Sequence, residues 1–197
     1  MSIILASQSP RRRELLARMG ISDFIIRPAQ GEEKVDRDLS PAQLVEALSA
    51  QKADEVAGHS DPADLIVAAD TVVSIDGKVL GKPHSTQEAF EMLSTLSGRA
   101  HTVYTGVTLR QGGKVSTSHV ATTVRFRSLT QQEIQAYIAT GEPMDKAGSY
   151  GIQGCGAMLV EGIEGDYFNV VGLPVCQLSR MLLDFGVNAL ELCAQEA

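Results

Sequence analysis

The chain has 197 residues, of which 44% are hydrophobic and 21% charged, with a formal net charge of −7. A chain this long buries roughly 70% of its unfolded surface, so one domain can hold a core without a disulfide or a structural metal. An acidic total disfavours non-specific binding to DNA or to a membrane surface, and 5% aromatics without Trp disfavour a base-stacking platform for single strands. No apolar run approaches the about 20 residues of a membrane span, and the opening MSIILASQSPRRR places its charge after the apolar stretch, unlike a secretory leader. Cys155, Cys176 and Cys193 are odd in number and lack C-x-x-C spacing, so reduced thiols are expected rather than a disulfide framework or a zinc site.

Ile3-Ile4-Leu5-Ala6 reads as a short buried strand running into Ser7-Gln8-Ser9-Pro10. Ser9 suits a helix N-cap, Pro10 the first helical position and Gly20 the stop, with Leu15, Leu16 and Met19 on the buried side. Ser40-Pro41-Ala42-Gln43 is a capping box opening a second helix, whose apolar stripe is Leu44, Val45, Leu48 and Val56. At about 100° per residue Lys52 falls inside that stripe, either with its stem along the core edge and its amine in water, or aimed into a cleft.

Leu65 to Ala69 is a continuous apolar run, as in a central strand covered on both faces. Asp70 and Thr71 interrupt it before Val72 to Ile75, and Asp76-Gly77 signals a hairpin returning through Lys78-Val79-Leu80. A helix capped at Ser85 ends near Gly98, two long strands cover 101–110 and 114–127, and a helix capped at Thr130 runs to about Ala139. A polar, glycine-dense loop spans Gly141 to Gly156. Two short strands are expected at 157–163 and 167–171. Leu173-Pro174 then opens an amphipathic helix carrying Val175, Leu178, Leu182 and Phe185. Interleaved helices and strands place the chain in the α/β or mixed α+β class, with a mixed rather than purely parallel sheet. A single domain is expected over 1–197, with the tail from about 187 loosely ordered.

The strand–SQSPRRR–helix junction is the first place for chemistry. A helix N-terminus offers unpaired N–H groups and a positive dipole end, Ser7 and Ser9 add hydroxyls, and Arg11, Arg12 and Arg13 add forks matched to phosphate oxygens. Three adjacent arginines oppose the helix dipole unless an anion joins them. Neither a Walker A loop, a dinucleotide fingerprint, H-E-x-x-H nor G-x-S-x-G occurs. The histidines at 59, 84, 101 and 119 are scattered, and most are expected at the surface. Asp70, placed straight after a buried run, must be paired, hydrogen-bonded, metal-bound or protonated; it is a backbone cap, a metal ligand or a general base. Glu32 and Glu33 read either as a solvated loop or, with Asp70, as oxygen ligands for a hard divalent cation. Lys82 in Gly81-Lys82-Pro83, Lys146, and Gln153 in Gly151-Ile152-Gln153-Gly154 sit in loops, and a Gln amide can read the edge of a base.

From Ile3 to about Phe185 the chain resembles the Maf-like nucleoside triphosphate pyrophosphatases. The resemblance rests on LASQSPRR followed by Glu14-Leu15-Leu16, on Lys52, Ala69-Asp70-Thr71 and Gly81-Lys82-Pro83, and on DKAGSYGIQG at 145–154. It implies a twisted mixed sheet flanked by helices, similar to inosine triphosphatases, with a cleft between two lobes. It also implies a divalent cation (Mg²⁺ or Mn²⁺), a cytoplasmic location and often a homodimer, while the acidic total already speaks against a nucleic-acid or membrane partner. Hydrolysis between the α and β phosphates would give a monophosphate and pyrophosphate. Asp70 takes the family's catalytic position, and Arg11, Thr71 and Gln153 its specificity positions. Ser9, Arg12, Glu33, Lys52 and Lys82 match phosphate- or metal-facing positions, with Glu33 and Asp70 named for the ion. DKAGSYGIQG resembles the branch acting on dTTP and UTP rather than on methylated GTP. Competing readings are a triphosphate-sensing regulator of cell division without useful turnover, and a phosphotransferase.

Overall fold

The computed structural model describes residues 1–31 and 39–195. Among them, strands hydrogen-bond in the order β2-β1-β3-β5-β6-β7, with β4 beside β3. Strand β1 (Ile3–Leu5) lies parallel to both β2 (Phe24–Ile26) and β3 (Leu65–Ile75), whereas β4 (Lys78–Leu80) is antiparallel to β3 and β7 (Val160–Glu164) to β6. The sheet is therefore mixed. The chain divides into two compact units, Met1–Asp70 with Thr105–Val120 and Gly172–Ala197, and Thr71–Tyr104 with Ala121–Val171.

In the first unit, α1 (Pro10–Arg18) begins where expected, with Ser9 as N-cap and Pro10 in its first turn. Helix α2 (Pro41–Ala57) starts on a complete capping box at Ser40 and Gln43. Its buried line is Val45, Leu48, Ser49, Ala53 and Val56, with Leu44 only half-covered. Ala53 and Val56 pack on Ile4, Ala6, Ile66 and Ala68. The helix lies very close to the sheet at Gly106 in β5 (Ala100–Gln111): a Cβ there would stand 2.2 Å from the Val45 carbonyl oxygen. Only glycine permits that approach, which seats α2 and everything it carries. Helix α6 (Val175–Asp184) buries Leu178, Met181 and Leu182. Helix α7 (Ala189–Gln195) lies within the C-terminal stretch.

In the second unit, α3 (Thr86–Leu96) and α4 (Gln131–Ala139) supply Leu93, Leu96, Ile134 and Tyr137 to a core with Val73, Val103, Val124, Phe126, Tyr150 and Leu159. The β3–β4 hairpin turns at Asp76 and Gly77, both at positive φ (51° and 74°), as the Asp-Gly pair requires. Of the two expected short strands, the first is β7 but starts at Val160, after a 3₁₀ turn at Cys155–Leu159, and the second is corrected: Tyr167–Val171 forms a short helix, α5. There the Asp166 carboxylate accepts the N–H groups of Phe168 (2.7 Å) and Asn169 (3.3 Å), starting a helix in a run whose side chains favour a strand.

His101 departs from the expected surface placing; His59, His84 and His119 do not. Its ring meets Phe126 and Tyr150 edge-on, and its Nε2 lies 2.8 Å from the Tyr150 hydroxyl. Burial pushes its pKa down to about 4. The folded protein thus holds His101 neutral, while the unfolded chain takes up a proton below about pH 6.5. Its contribution to stability is complete above that pH and is lost as pH falls towards 4. Chemical unfolding at pH 7 and pH 4 should show the wild type losing about 3 kcal/mol more than a His101→Phe variant. Equal losses in the two proteins would remove this role.

Candidate active site

Period-2 alternation in β3 turns Ile66, Ala68 and Asp70 to one face. Ile66 and Ala68 meet Ala53 and Val56 of α2, and Asp70, next along, meets Lys52. The Lys52 ammonium donates to Asp70 Oδ1, with 22% and 13% of the two side chains exposed. Lys52 is therefore not an isolated snorkelling lysine: the apolar stripe of α2 is interrupted between Leu48 and Val56 by an ion pair with the strand. Asp70 lies within β3 rather than in a turn or at a helix start.

Strand β1 pairs with β3 as far as Leu5↔Val67, so residue 70 stands past its carboxyl end, level with the turn that enters α1. Arg12 spans this opening. Its Nε donates to the Gly172 carbonyl at 2.8 Å, and its Nη1 donates to the carbonyl of Ala69 at 2.8 Å and to Ser7 Oγ at 3.3 Å. Sequence reading placed Arg12 on phosphate; here two of its nitrogens fasten the β1–α1 turn to the residue preceding Asp70. Burial lowers the Arg12 pKa, the Asp70 charge raises it in part, and Arg11 lowers it.

Ser7 Oγ also accepts the Ser9 N–H (3.2 Å), and Ser9 Oγ accepts the Arg12 N–H (3.4 Å). Both hydroxyls act as acceptors in these bonds, so each keeps its proton to donate. No acidic residue occupies the first turn of α1, and Arg11 is half-buried beside it while Arg13 is exposed. Ser7, Ser9, Arg12, Lys52 and Asp70 thus converge in the first unit. Glu32 and Glu33 lie outside the described residues.

The second unit holds Thr71, half-buried, and Lys82 and Gln153, both exposed. The two loop motifs come together there: the Gly148 N–H donates to the Gly81 carbonyl at 3.0 Å, joining Gly81-Lys82-Pro83 to the 145–154 segment. Lys146 is turned inward, donating to the carbonyl of Glu142 and to the Asp145 carboxylate, each at 2.6 Å. One organising residue carries no motif in the sequence. The Glu142 carboxylate accepts N–H groups from Cys155 (2.7 Å) and Gly156 (3.1 Å) and the Tyr137 hydroxyl (2.9 Å). Its partners are backbone groups of a loop thirteen and fourteen residues on, which no spacing rule announces.

Among the described residues no three His, Cys, Asp or Glu side chains gather to hold a metal. Among the described residues Asp70 offers carboxylate oxygen beside Lys52. A single carboxylate fits Mg²⁺, which binds through one or two carboxylates plus substrate phosphates rather than in an all-protein cage. No helix among the described residues is long and apolar enough to cross a membrane.

A mixed α/β protein with a lysine–aspartate pair at the carboxyl end of a parallel strand belongs to the architectures that bind ligands at strand ends. The chain belongs to the Maf-like protein family, whose model matches residues 2–185. It is 56% identical over 188 residues to a dTTP/UTP pyrophosphatase of Moorella thermoacetica, covering 94% of this chain and 96% of that one. It is 51% identical over 186 residues to a dTTP/UTP pyrophosphatase of Bacillus pumilus, covering 94% and 97%. Among solved structures it matches a dITP/XTP pyrophosphatase of Mycobacterium abscessus over 64% of this chain and 73% of that one. The TM-score of 0.43 and 17% identity make that likeness too weak to bear on function.

Proposed function

We propose that the protein is a cytoplasmic nucleoside triphosphate pyrophosphatase that hydrolyses dTTP and UTP to the monophosphate and pyrophosphate, clearing nucleotides from the pool. The observation that carries this reading is the Lys52–Asp70 pair at the carboxyl end of β1, beside a helix N-terminus rich in arginine and empty of acid. Family membership and the dTTP/UTP names of relatives about half identical to this chain support the substrate class.

A triphosphate brings about four negative charges, so a carboxylate can stand near it only with cations between. Lys52 and Arg11 supply positive charge in the first unit and Lys82 in the second, Ser7 and Ser9 donate hydroxyls, and the positive end of the α1 dipole favours the phosphates. Asp70 takes a proton from the attacking water or holds the ion. The water oxygen bonds to phosphorus, the α–β bridging P–O bond breaks, and pyrophosphate departs with the electron pair, so no covalent protein intermediate is needed. Asp70, together with Glu33 at the family's metal-facing position, would hold a divalent cation, which would neutralise phosphate charge. Arg12 acts through Asp70 and Ser7, holding both in place. Gln153 and Thr71, with Arg11, select the base.

Gln153→Ala should change the ranking among UTP, dTTP, CTP and GTP by about tenfold while leaving inhibition by pyrophosphate alone near wild type. A uniform loss across all four would place Gln153 elsewhere than at the base. The reading as a whole is tested by pyrophosphate release from dTTP, UTP, CTP, GTP and methylated GTP with Mg²⁺ or Mn²⁺. Rapid release from dTTP and UTP supports it. Tight triphosphate binding without release would favour a sensor.

A further inference from the structure

We propose that Glu142 and Tyr137 are positioning residues for base selection: together they pin both ends of the short loop that presents Gln153. This rests on the pyrophosphatase reading above and adds to it two residues that touch no substrate.

Glu142 opens the 3₁₀ turn that follows α4, and Tyr137 comes from α4 itself, so both stand on the packed core of the second unit. Glu142 Oε2 accepts the N–H of Cys155, and Oε1 accepts the N–H of Gly156 and the Tyr137 hydroxyl. The Tyr137 oxygen in turn accepts the Gly151 N–H at 3.1 Å. Backbone donors at 151, 155 and 156 therefore end on one two-residue device. Residues 152–154 bridge its two ends, and Gln153 in their middle is exposed.

The glycines of this segment fit the same device. A Cβ at Gly154 would lie 2.3 Å from Glu142 Oε2, and one at Gly156 would lie 2.7 Å from the Tyr137 oxygen. At Gly156 a Cβ would also stand 2.5 Å from the Gly151 carbonyl oxygen, so only glycine fits there, and at Gly154 a Cβ would push the Glu142 carboxylate off its backbone partners. Lys146 closes the far side: its stem occupies the place of a Gly151 Cβ, 2.5 Å from Cε, while its ammonium holds the Glu142 carbonyl at 2.6 Å.

The electrostatics keep the device in one state. Burial raises the Glu142 pKa, but the Gly156 N–H, the Tyr137 hydroxyl, the Cys155 N–H and Lys146 together outweigh it and hold the carboxyl below its ordinary range. Burial pushes the Tyr137 hydroxyl well above its ordinary value, so it stays a donor to Glu142 across the physiological range. A carboxylate whose oxygens already accept three internal donors is engaged by the loop rather than offered to substrate or metal.

The test is steady-state kinetics of the purified full chain with UTP and GTP, alongside thermal unfolding. In Glu142→Gln the amide sets an NH₂ group against a backbone N–H. The ratio of kcat/KM for UTP over GTP should then fall about tenfold, chiefly through KM for UTP. Tyr137→Phe, which loses the bond to the Glu142 carboxylate and the bond from the Gly151 N–H but leaves the Glu142 charge and its two backbone partners, should lower the ratio about fivefold and serves as the measure if Glu142→Gln fails to fold. In a Gln153→Ala background either change should lower the ratio no further, a non-additivity that simple loss of packing does not produce. A ratio unchanged in a folded variant that has lost only thermal stability overturns the proposal, as does a fully additive loss. If the wild type released pyrophosphate from neither nucleotide, the pyrophosphatase reading itself would fall; a wild type that discriminates, with variants that discriminate equally, removes only this inference.

Discussion

Asp70→Asn should lower kcat for UTP by about a thousandfold while the melting temperature stays within a few degrees of wild type. The amide keeps the shape of the side chain, and its oxygen can still accept from Lys52. What it loses is the charge needed to take a proton from water or to hold a divalent cation. Position makes Asp70 special in this chain: it follows Ile66 and Ala68 on the face of β3 that meets α2, and it lies past the point where β1 stops pairing. Purified Asp70→Asn protein, checked by circular dichroism and assayed for pyrophosphate, decides the matter. Near-normal turnover would falsify the catalytic assignment and leave the residue a structural partner of Lys52.

Lys52→Met carries the second largest effect. Methionine keeps most of the stem volume along the stripe of α2 and removes only the ammonium. Loss of one preorganised cation facing a polyanion should lower kcat/KM about a hundredfold. The same change strands Asp70, with 13% of its side chain exposed, and should cost about 1–3 kcal/mol in denaturant unfolding. Pairing the substitution with Asp70→Asn separates the two consequences. The double variant should regain much of the lost stability, because no unpaired charge remains, yet should stay inactive. A Lys52→Met protein as active as wild type would mean that the ammonium neutralises Asp70 and nothing else.

Both residues were legible in the sequence because regular elements dictate where their side chains go. The 3.6-residue period of α2 and the 2-residue period of β3 each place a charged residue within an apolar series, and the two interruptions meet. Capping residues read equally well: Ser9, Ser40, Ser85 and Thr130 all cap the helices assigned to them. Less local features were hidden. Strand β2 has three residues and no alternation, and it exists because β1 offers it a parallel edge. Tyr167–Val171 reads as strand by side-chain type, but the Asp166 carboxylate collects the first free N–H groups and starts a helix instead. The hold of Arg12 on the Gly172 and Ala69 carbonyls has no mark in the sequence, because only the fold brings those two groups to it. Glu142 has no signature at all, since its partners are main-chain groups gathered by glycines.

The most direct measurement is a crystal structure with a UTP analogue whose α–β bridging oxygen is replaced by an imido group. The account predicts the triphosphate at the amino end of α1, with oxygens about 2.7–3.2 Å from the Ser7–Arg13 segment and from Lys52. Asp70 should face the α-phosphorus directly or through a metal ion. A triphosphate bound away from the Lys52–Asp70 pair would contradict it.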